Sequence, residues 1–359
     1  YIMRMPIDGK PIKGRGAAVQ VANRFLKHSY GVVHWEGIDE VEEEDRRTRY
    51  VVEHPRTIVN KVDSPDLPFT LSMNPYQGCE HGCAYCYARP THEYWGYGAG
   101  LDFERVIIVK RSAPEVLRRT LQDRKWTPAP IMFSGNTDCY QPVERKEGIT
   151  RAMLAVCLEF RQPVGMITKN ALILRDLDIL KEMAGLGLVT VAISLTTLNE
   201  ELRRVLEPRT STGANRVRVI GELTKAGVPT EVMVAPIIPA LNEHEVPALL
   251  QAAAEAGALG ANYTVVRMNG AVKPIFDNWV YEHFPDRAAK VIAQVSAMHG
   301  GSMSDSVFGR RMRGEGEFAN TVRQLFRLSH KRSFAERSIP PLRTDLFRRP
   351  AEGQLDLFA

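Results

Sequence analysis

From Phe69 onward the chain alternates short β-branched or apolar runs with amphipathic segments of helical period, and that alternation leaves the fold little freedom. The runs at 70–73, 131–134, 164–168, 189–195, 231–235 and 263–267 read as strands. Between them lie helical patterns near 113–123, 145–160, 174–185, 199–206 with 214–226, 244–256 and 281–298. Several are closed by a glycine in the helix-stop position: Gly185, Gly227 and Gly257. Strand and helix alternating in this way predict parallel βαβ units, because a parallel neighbour needs a crossover. Six units predict an α/β fold, either an open doubly wound sheet or a partial (β/α)6 barrel, and both place their chemistry beyond the C-terminal ends of the strands. The expected plan is an irregular extension over 1–66 with one helical pattern at 17–27, a barrel over 67–300, a basic helical segment over 301–349 and a terminal peptide over 350–359.

Several classes are excluded. At 44% apolar residues over 359 positions, disorder throughout does not fit. The longest stretch free of polar side chains, 232–241, carries Pro236 and Pro239 and is half the length of a spanning helix, roughly 20 residues. The first thirty residues mix Arg4, Lys10, Lys13, Arg15 and Arg24 into a sequence with no apolar core, so no secretion signal is read and the expected compartment is the cytoplasm. Five cysteines are too few and too odd in number for a disulfide scaffold, so a cluster among them points to metal or redox chemistry.

Such a cluster follows the first strand. Gly78-Cys79-Glu80-His81-Gly82-Cys83-Ala84-Tyr85-Cys86-Tyr87 is a C-x3-C-x2-C loop, and its two glycines let the backbone fold three thiolates toward one site. A structural zinc would need a fourth ligand, for which His81 or His92 stands in range. A [4Fe–4S] cluster ordinarily takes four cysteines, unless its fourth iron is left open for a small-molecule ligand.

This spacing, with an aromatic before the third cysteine and the loop after the first barrel strand, resembles the radical S-adenosylmethionine (SAM) enzymes, most closely the spore photoproduct lyase branch. The resemblance runs through about residues 69 to 270. It implies a partial TIM-like barrel in which Cys79, Cys83 and Cys86 hold a [4Fe–4S] cluster whose open iron binds SAM. Reductive cleavage of SAM then gives a 5′-deoxyadenosyl radical that abstracts a substrate hydrogen, with flavodoxin or ferredoxin as the expected kind of electron donor. Ser134, Asn136, Thr137 and Asp138, after the second strand, would face the SAM amino group. Lys169 and Ser194, after the third and fourth strands, would hold its carboxylate, with Arg209 reaching the same pocket and Tyr85 lying against adenine or cluster. Cys139 stands near the position of the lyase hydrogen donor, which itself aligns near Asn136, and Tyr87 is placed as a radical relay. Cys157, on an apolar helical pattern, reads as core.

Charge is unevenly spread. Residues 310–349 hold eleven Lys or Arg against four acids, leaving the rest of the chain nearly balanced, whereas 36–45 holds seven acids and reads as a solvated loop. Arginine dominates the basic stretch, which suits phosphate contacts and makes Arg310, Arg311, Arg313, Arg323, Arg327, Lys331 and Arg332 candidates for binding nucleic acid. The chain closes with Gln354-Leu355-Asp356-Leu357-Phe358, which resembles the motif by which bacterial replication and repair proteins dock onto the DNA sliding clamp. Leu355, Leu357 and Phe358 would fill apolar pockets while Gln354 makes orienting hydrogen bonds. The first expectation is a radical reaction on DNA, such as reversal of a base lesion. Modification of RNA, peptide or a small metabolite is the second, and a zinc-stabilised adaptor of the clamp is the non-catalytic third.

Overall fold

The computed structural model describes residues 14–26 and 47–350. Six parallel strands stand side by side in chain order: β1 (Leu71–Met73), β2 (Ile131–Phe133), β3 (Val164–Thr168), β4 (Val189–Ser194), β5 (Thr230–Ile237) and β6 (Gly260–Val265). The register is continuous, with Met73 opposite Phe133, Phe133 opposite Met166, Thr168 opposite Ile193 and Ser194 opposite Met233. A doubly wound sheet reverses its strand order; this one does not, so the arc is a partial barrel. An antiparallel strand, Val59–Lys61, covers the outer edge of β1, and β6 does not pair with β1 among the described residues.

The pattern that predicts these elements also explains them. β3 and β4 are buried almost throughout, as parallel strands covered on both faces must be. Side-chain oxygens cap the helices that follow β4. Asn199 accepts from the Glu201 and Leu202 N–H groups ahead of Glu200–Leu206, and Thr212 accepts from Asn215 ahead of Gly213–Lys225. Gly227 and Gly257 end their helices in the left-handed conformation at φ +81° and +101°. The third stop is Gly187 rather than Gly185, which stays within Leu177–Gly185. The expected helix at 281–298 is two, Val272–His283 and Pro285–Met298, because a helix interior cannot admit Pro285 whereas a first turn can.

Three features lie outside the alternation. A small second sheet joins Arg49–Val52, Val106–Val109 and Tyr76–Gln77, so the chain enters the cysteine loop already paired. Its central strand is a run of four residues, Val-Ile-Ile-Val, legible in the sequence but not assigned there. The helical pattern expected at 17–27 does not form over the described residues 17–26; they run along the segment 93–104 instead, where Asn23 donates to the Glu93 and Tyr97 carbonyls at 2.8 and 3.0 Å. The buried Glu104 carboxylate draws in the Gly16 and Ala17 N–H groups, at 3.1 and 2.9 Å. Gly16 packs so tightly that a Cβ there would fall 1.7 Å from the Gly82 carbonyl oxygen. The acidic run at 36–45 lies outside the described residues.

The third feature is the basic tail. Helix Gly316–Phe334 covers β6, with Tyr263 and Phe326 4.4 Å apart between ring centroids. The chain then runs without helix beneath the barrel, where arginines meet the carbonyl ends of successive helices. Arg337 donates to the Ala254 and Ala258 carbonyls, both at 2.7 Å. The Arg343 N–H meets Gly187 at 2.9 Å, and Arg348 meets Phe160 and Glu159 at 2.9 and 3.0 Å. Arg349 reaches Asp123 and Trp126 at 3.1 and 2.9 Å. The contacts of Arg343 with Gly187 and of Arg348 with Phe160 are made by backbone N–H groups, but cations at helix C-termini complement the helix dipole, so the side chains of Arg337, Arg348 and Arg349 are spent on closing the floor of the barrel. Arg337→Ala is therefore expected to lower stability by about 1–2 kcal/mol in urea unfolding while leaving SAM cleavage unchanged.

Candidate active site

The cysteine loop lies beyond the C-terminal end of β1 and is held from every side. The Cys79 N–H donates to Phe103 O at 2.8 Å, Ala84 N–H to Leu206 O at 3.1 Å, and the Gln141 amide bridges Gly78 O and Glu80 N at 3.0 and 2.9 Å. Arg89, fully buried, grips the Cys83 carbonyl through Nε and Nη2 at 3.1 and 2.8 Å and pairs with the equally buried Glu104 at 2.5 Å. The same carboxylate holds Gly16 and Ala17, so a single ion pair fastens the loop and its cover together.

All three thiols are buried or nearly so, and burial pushes each of them up; Asp138 adds to this at Cys79 and Glu207 at Cys83. Such a site disfavours bare thiolates and therefore favours a cationic centre that neutralises them. Among the described residues, no three His, Cys, Asp or Glu side chains gather as a single metal ion requires. Of the two proposed fourth zinc ligands, His81 is engaged elsewhere, and the ring nitrogens of His92 are buried without a hydrogen-bond partner among the described residues. His81 lies 3.4 Å from the Asp138 carboxylate and 3.2 Å from the Asn170 amide, and His92 is wedged against Tyr97 and Phe103. Three thiols without a fourth protein ligand fit a cluster with one open iron.

Opposite the loop, at the end of β4, stands a buried polar group that sequence reasoning passed over. Glu207 accepts from the Tyr85 hydroxyl, from Thr196 Oγ1 at 2.8 Å and from Arg216 Nη2 at 2.5 Å, and Arg216 reaches on to the Ser194 carbonyl at 3.0 Å. Burial opposes the charge on Glu207, but Arg216 and Lys169 outweigh it and hold the carboxyl at about 2. The Lys169 charge also lowers the Cys83 thiol, against the larger effect of burial. Glu207 and Arg209 are adjacent charged residues of one loop, and spacing alone does not tell which faces inward. Arg209, half-buried, meets the cysteine loop instead, 3.7 Å from the buried Glu80.

The turn after β2 is built differently from the expectation that its polar groups face a ligand. Asp138 accepts from Thr168 Oγ1, Lys169 N and Tyr140 N at 2.8, 2.9 and 2.9 Å; although burial alone would raise it, His81 and these donors bring it down to about 2. Thr137 gives its hydroxyl to Tyr76 O at 2.7 Å. Ser134, at φ +64°, accepts from Cys139 N at 2.9 Å. Asn136 donates to Gln77 and Thr91 at 3.0 and 3.2 Å and remains only half-buried. Asp138 and Thr137 thus serve first to tie the loops after β1, β2 and β3 together.

Cys139 is fully enclosed, packed in the main core, with its carbonyl accepting from Thr150 at 2.7 Å. Burial pushes its thiol well up. This is a packing position beneath the turn, which favours a buried structural cysteine over a hydrogen donor. Cys139→Ala is expected to cost about 1–2 kcal/mol in thermal unfolding and to leave deuterium incorporation into product unaltered. Tyr87, by contrast, is 52% exposed and donates to Gly135 O at 2.8 Å, which brings the loop after β1 to that after β2.

The candidate nucleic-acid residues divide. Arg310 pairs with Asp305 and Glu315 at 2.7 and 3.1 Å, Arg311 with Asp66 at 2.5 Å, and Arg313 stacks on Tyr263 at 4.1 Å. Arg323 meets Asn320 at 2.5 Å on the helix surface and, with Arg327, lines a shallow depression there; Lys331 and Arg332 follow on the same exposed helix. Gln354, Leu355, Leu357 and Phe358 lie outside the described residues.

A six-strand arc with three buried thiols on the loop after its first strand, faced by a lysine and a buried carboxylate–arginine pair, defines an enzyme built around an iron–sulfur centre. The chain belongs to the radical SAM superfamily, whose family model matches residues 73–253, and its cofactors are accordingly a [4Fe–4S] cluster and SAM. An uncharacterized protein of Mycobacterium tuberculosis is 33% identical over 238 residues, 66% of this chain and 70% of its own length. A radical SAM Nalpha-GlyT isomerase of Pseudomonas phage M6 is 28% identical over 183 residues, covering 50% of this chain and 36% of that protein. Among solved structures, spore photoproduct lyase complexed with dinucleoside spore photoproduct superposes with a TM-score of 0.60 at 17% identity, over 84% of this chain and 85% of that one. No helix among the described residues is long and apolar enough to cross a membrane.

Proposed function

We propose that this enzyme acts on nucleic acid, and on DNA in particular, in a lyase-like reaction of the kind that reverses or remodels a base. The observation that carries this reading is the exposed basic face of helix Gly316–Phe334. Arg323, Arg327, Lys331 and Arg332 stay at its surface after the fold has used the other arginines, and the helix begins beside the loops that follow β6. The structural likeness to a lyase solved with a dinucleoside photoproduct supports the same substrate class.

Cys79, Cys83 and Cys86 would hold the cluster. When bound, cluster and SAM supply a one-electron cleavage that delivers a 5′-deoxyadenosyl radical. The chain itself contributes placement and enclosure. Lys169 offers a cation to the SAM carboxylate, and Ser194 lies at the same strand end. Tyr85 is held by Glu207 against rotation, so the aromatic in the motif presents one fixed face. Gly16 packs on the Gly82 carbonyl of the cysteine loop and, with Ala17, is held by Glu104, so this segment closes one side of the loop against water. Tyr87, anchored yet exposed, is positioned to pass a radical between product and cofactor side. The electron donor is a flavodoxin- or ferredoxin-type protein, and the terminal Gln354–Phe358 peptide docks on the sliding clamp.

The test is to incubate reduced enzyme and SAM with damaged DNA, RNA or cell extract in plain and deuterated buffer, following 5′-deoxyadenosine and product mass. Turnover confined to DNA is the expected result, and turnover confined to RNA, peptide or metabolite overturns the reading. Clamp binding that survives deletion of 354–359 removes the docking role.

A further inference from the structure

The loop after β6 carries a cation whose donors the fold uses only in part. Arg267 follows β6 by two residues, at the mouth of the barrel, and is half-buried. Of the five N–H groups on its guanidinium, one finds an acceptor among the described residues, the Asp305 carbonyl at 3.3 Å. Burial lowers its basicity, Arg311 adds to this, and its charge is felt by Tyr87 on the cysteine loop. A desolvated guanidinium with spare donors is costly unless something else satisfies it.

Its surroundings are rigid. Met268 N–H meets Met303 O at 2.8 Å, and His299 bridges the Val266 carbonyl and the Asp305 carboxylate at 2.8 and 3.2 Å. Asp305 also binds Arg310 at 2.7 Å and the Val307 N–H at 2.8 Å. Asp66 fixes the far side through Gly309 N–H and Arg311, at 2.7 and 2.5 Å; Arg267 feels both Asp66 and Asp305, yet neither carboxylate bonds its guanidinium, whose remaining donors stay open to a ligand. On this frame Phe308 is 52% exposed, with the Arg311 guanidinium 4.4 Å from its ring centroid. Tyr87, the aromatic across the mouth, is equally exposed.

We propose that Arg267 binds a phosphodiester of the substrate strand at the barrel mouth while Phe308 stacks on a neighbouring base, so that this patch places one nucleotide before the cysteine loop. The assignment rests on the nucleic-acid reading above and deepens it. A guanidinium suits a phosphate through paired N–H donors, and an exposed ring beside it suits the face of a base. An acidic peptide satisfies the first feature but gives the ring nothing to stack on.

The experiment uses the full chain with its cluster reconstituted and reads binding by fluorescence anisotropy. The probes are a short single-stranded DNA, an abasic strand of equal length and an acidic peptide of equal charge. R267Q is expected to weaken DNA and abasic strand alike by about tenfold, whereas F308A weakens the base-bearing strand by about tenfold and spares the abasic one. Iron content and melting temperature verify that each variant is folded, and the exposed Phe308 gives a second variant should R267Q fold poorly. Unchanged DNA binding in both variants overturns the patch and leaves the nucleic-acid reading standing. An acidic peptide bound as tightly as DNA overturns the patch as well. Absence of DNA binding by the unaltered enzyme overturns both together.

Discussion

Glu207→Gln is expected to destabilise the protein by about 3–5 kcal/mol in urea unfolding, because it leaves Arg216 as a fully buried cation without its counter-charge. The same change frees the Tyr85 ring and withdraws a negative charge facing Lys169, so SAM cleavage should fall with it. The sign of the pH dependence follows from the carboxyl, which sits at about 2 in the folded protein against an ordinary value of 4.5. Its contribution is fully present above about pH 4.5 and is lost as pH falls toward 2. The stability gap between the unaltered protein and Glu207→Gln should therefore shrink over that interval, since protonated Glu207 resembles Gln. A gap that stays constant would mean that the ion pair is not what holds the site.

Replacing any one of the three loop cysteines with alanine gives the largest expected loss of activity. Iron should drop from about four per chain to near zero in Cys79→Ala, Cys83→Ala or Cys86→Ala, and 5′-deoxyadenosine formation should fall below detection. The fold should persist, since the loop keeps the Arg89 grip on the Cys83 carbonyl and the Cys79 N–H bond to Phe103. Iron assay and far-UV circular dichroism together check this. Retention of one zinc per chain in the unaltered protein, with no visible colour, would favour a structural metal instead.

The C-terminal charge changes meaning between sequence and structure. Eleven basic residues over 310–349 suggest a single handle for nucleic acid, yet Arg337, Arg348 and Arg349 bind backbone carbonyls beneath the barrel, and Arg310 and Arg311 answer Asp305 and Asp66. What remains at the surface is a shorter stripe, Arg323 to Arg332, on one helix. Composition counts charge but does not say which charge meets a carbonyl. The opposite case is Arg267, a lone basic residue in an apolar stretch, which attracts no notice in sequence and stands out only because the loop at 303–312 folds around it.

The sequence by itself determined the six parallel units and the place of the cysteine loop, because hydrophobic period and ligand spacing are local properties written into consecutive residues, whereas the strand order that makes the sheet a barrel arc came from the structure. Tertiary structure alone decided that Glu207 enters a buried ion pair while Arg209 meets Glu80 of the cysteine loop, that Cys139 lies under its turn, and that residues 17–26 run along 93–104 instead of forming a helix. The decisive partners lie outside any local pattern: Tyr85 and, past a helix start, Arg216 for Glu207, Thr150 on the next helix for Cys139, Glu104 for the N-terminal segment. Desolvation makes such long-range polar pairs decisive, since a buried charge or N–H must be met, and no local pattern records which group will meet it.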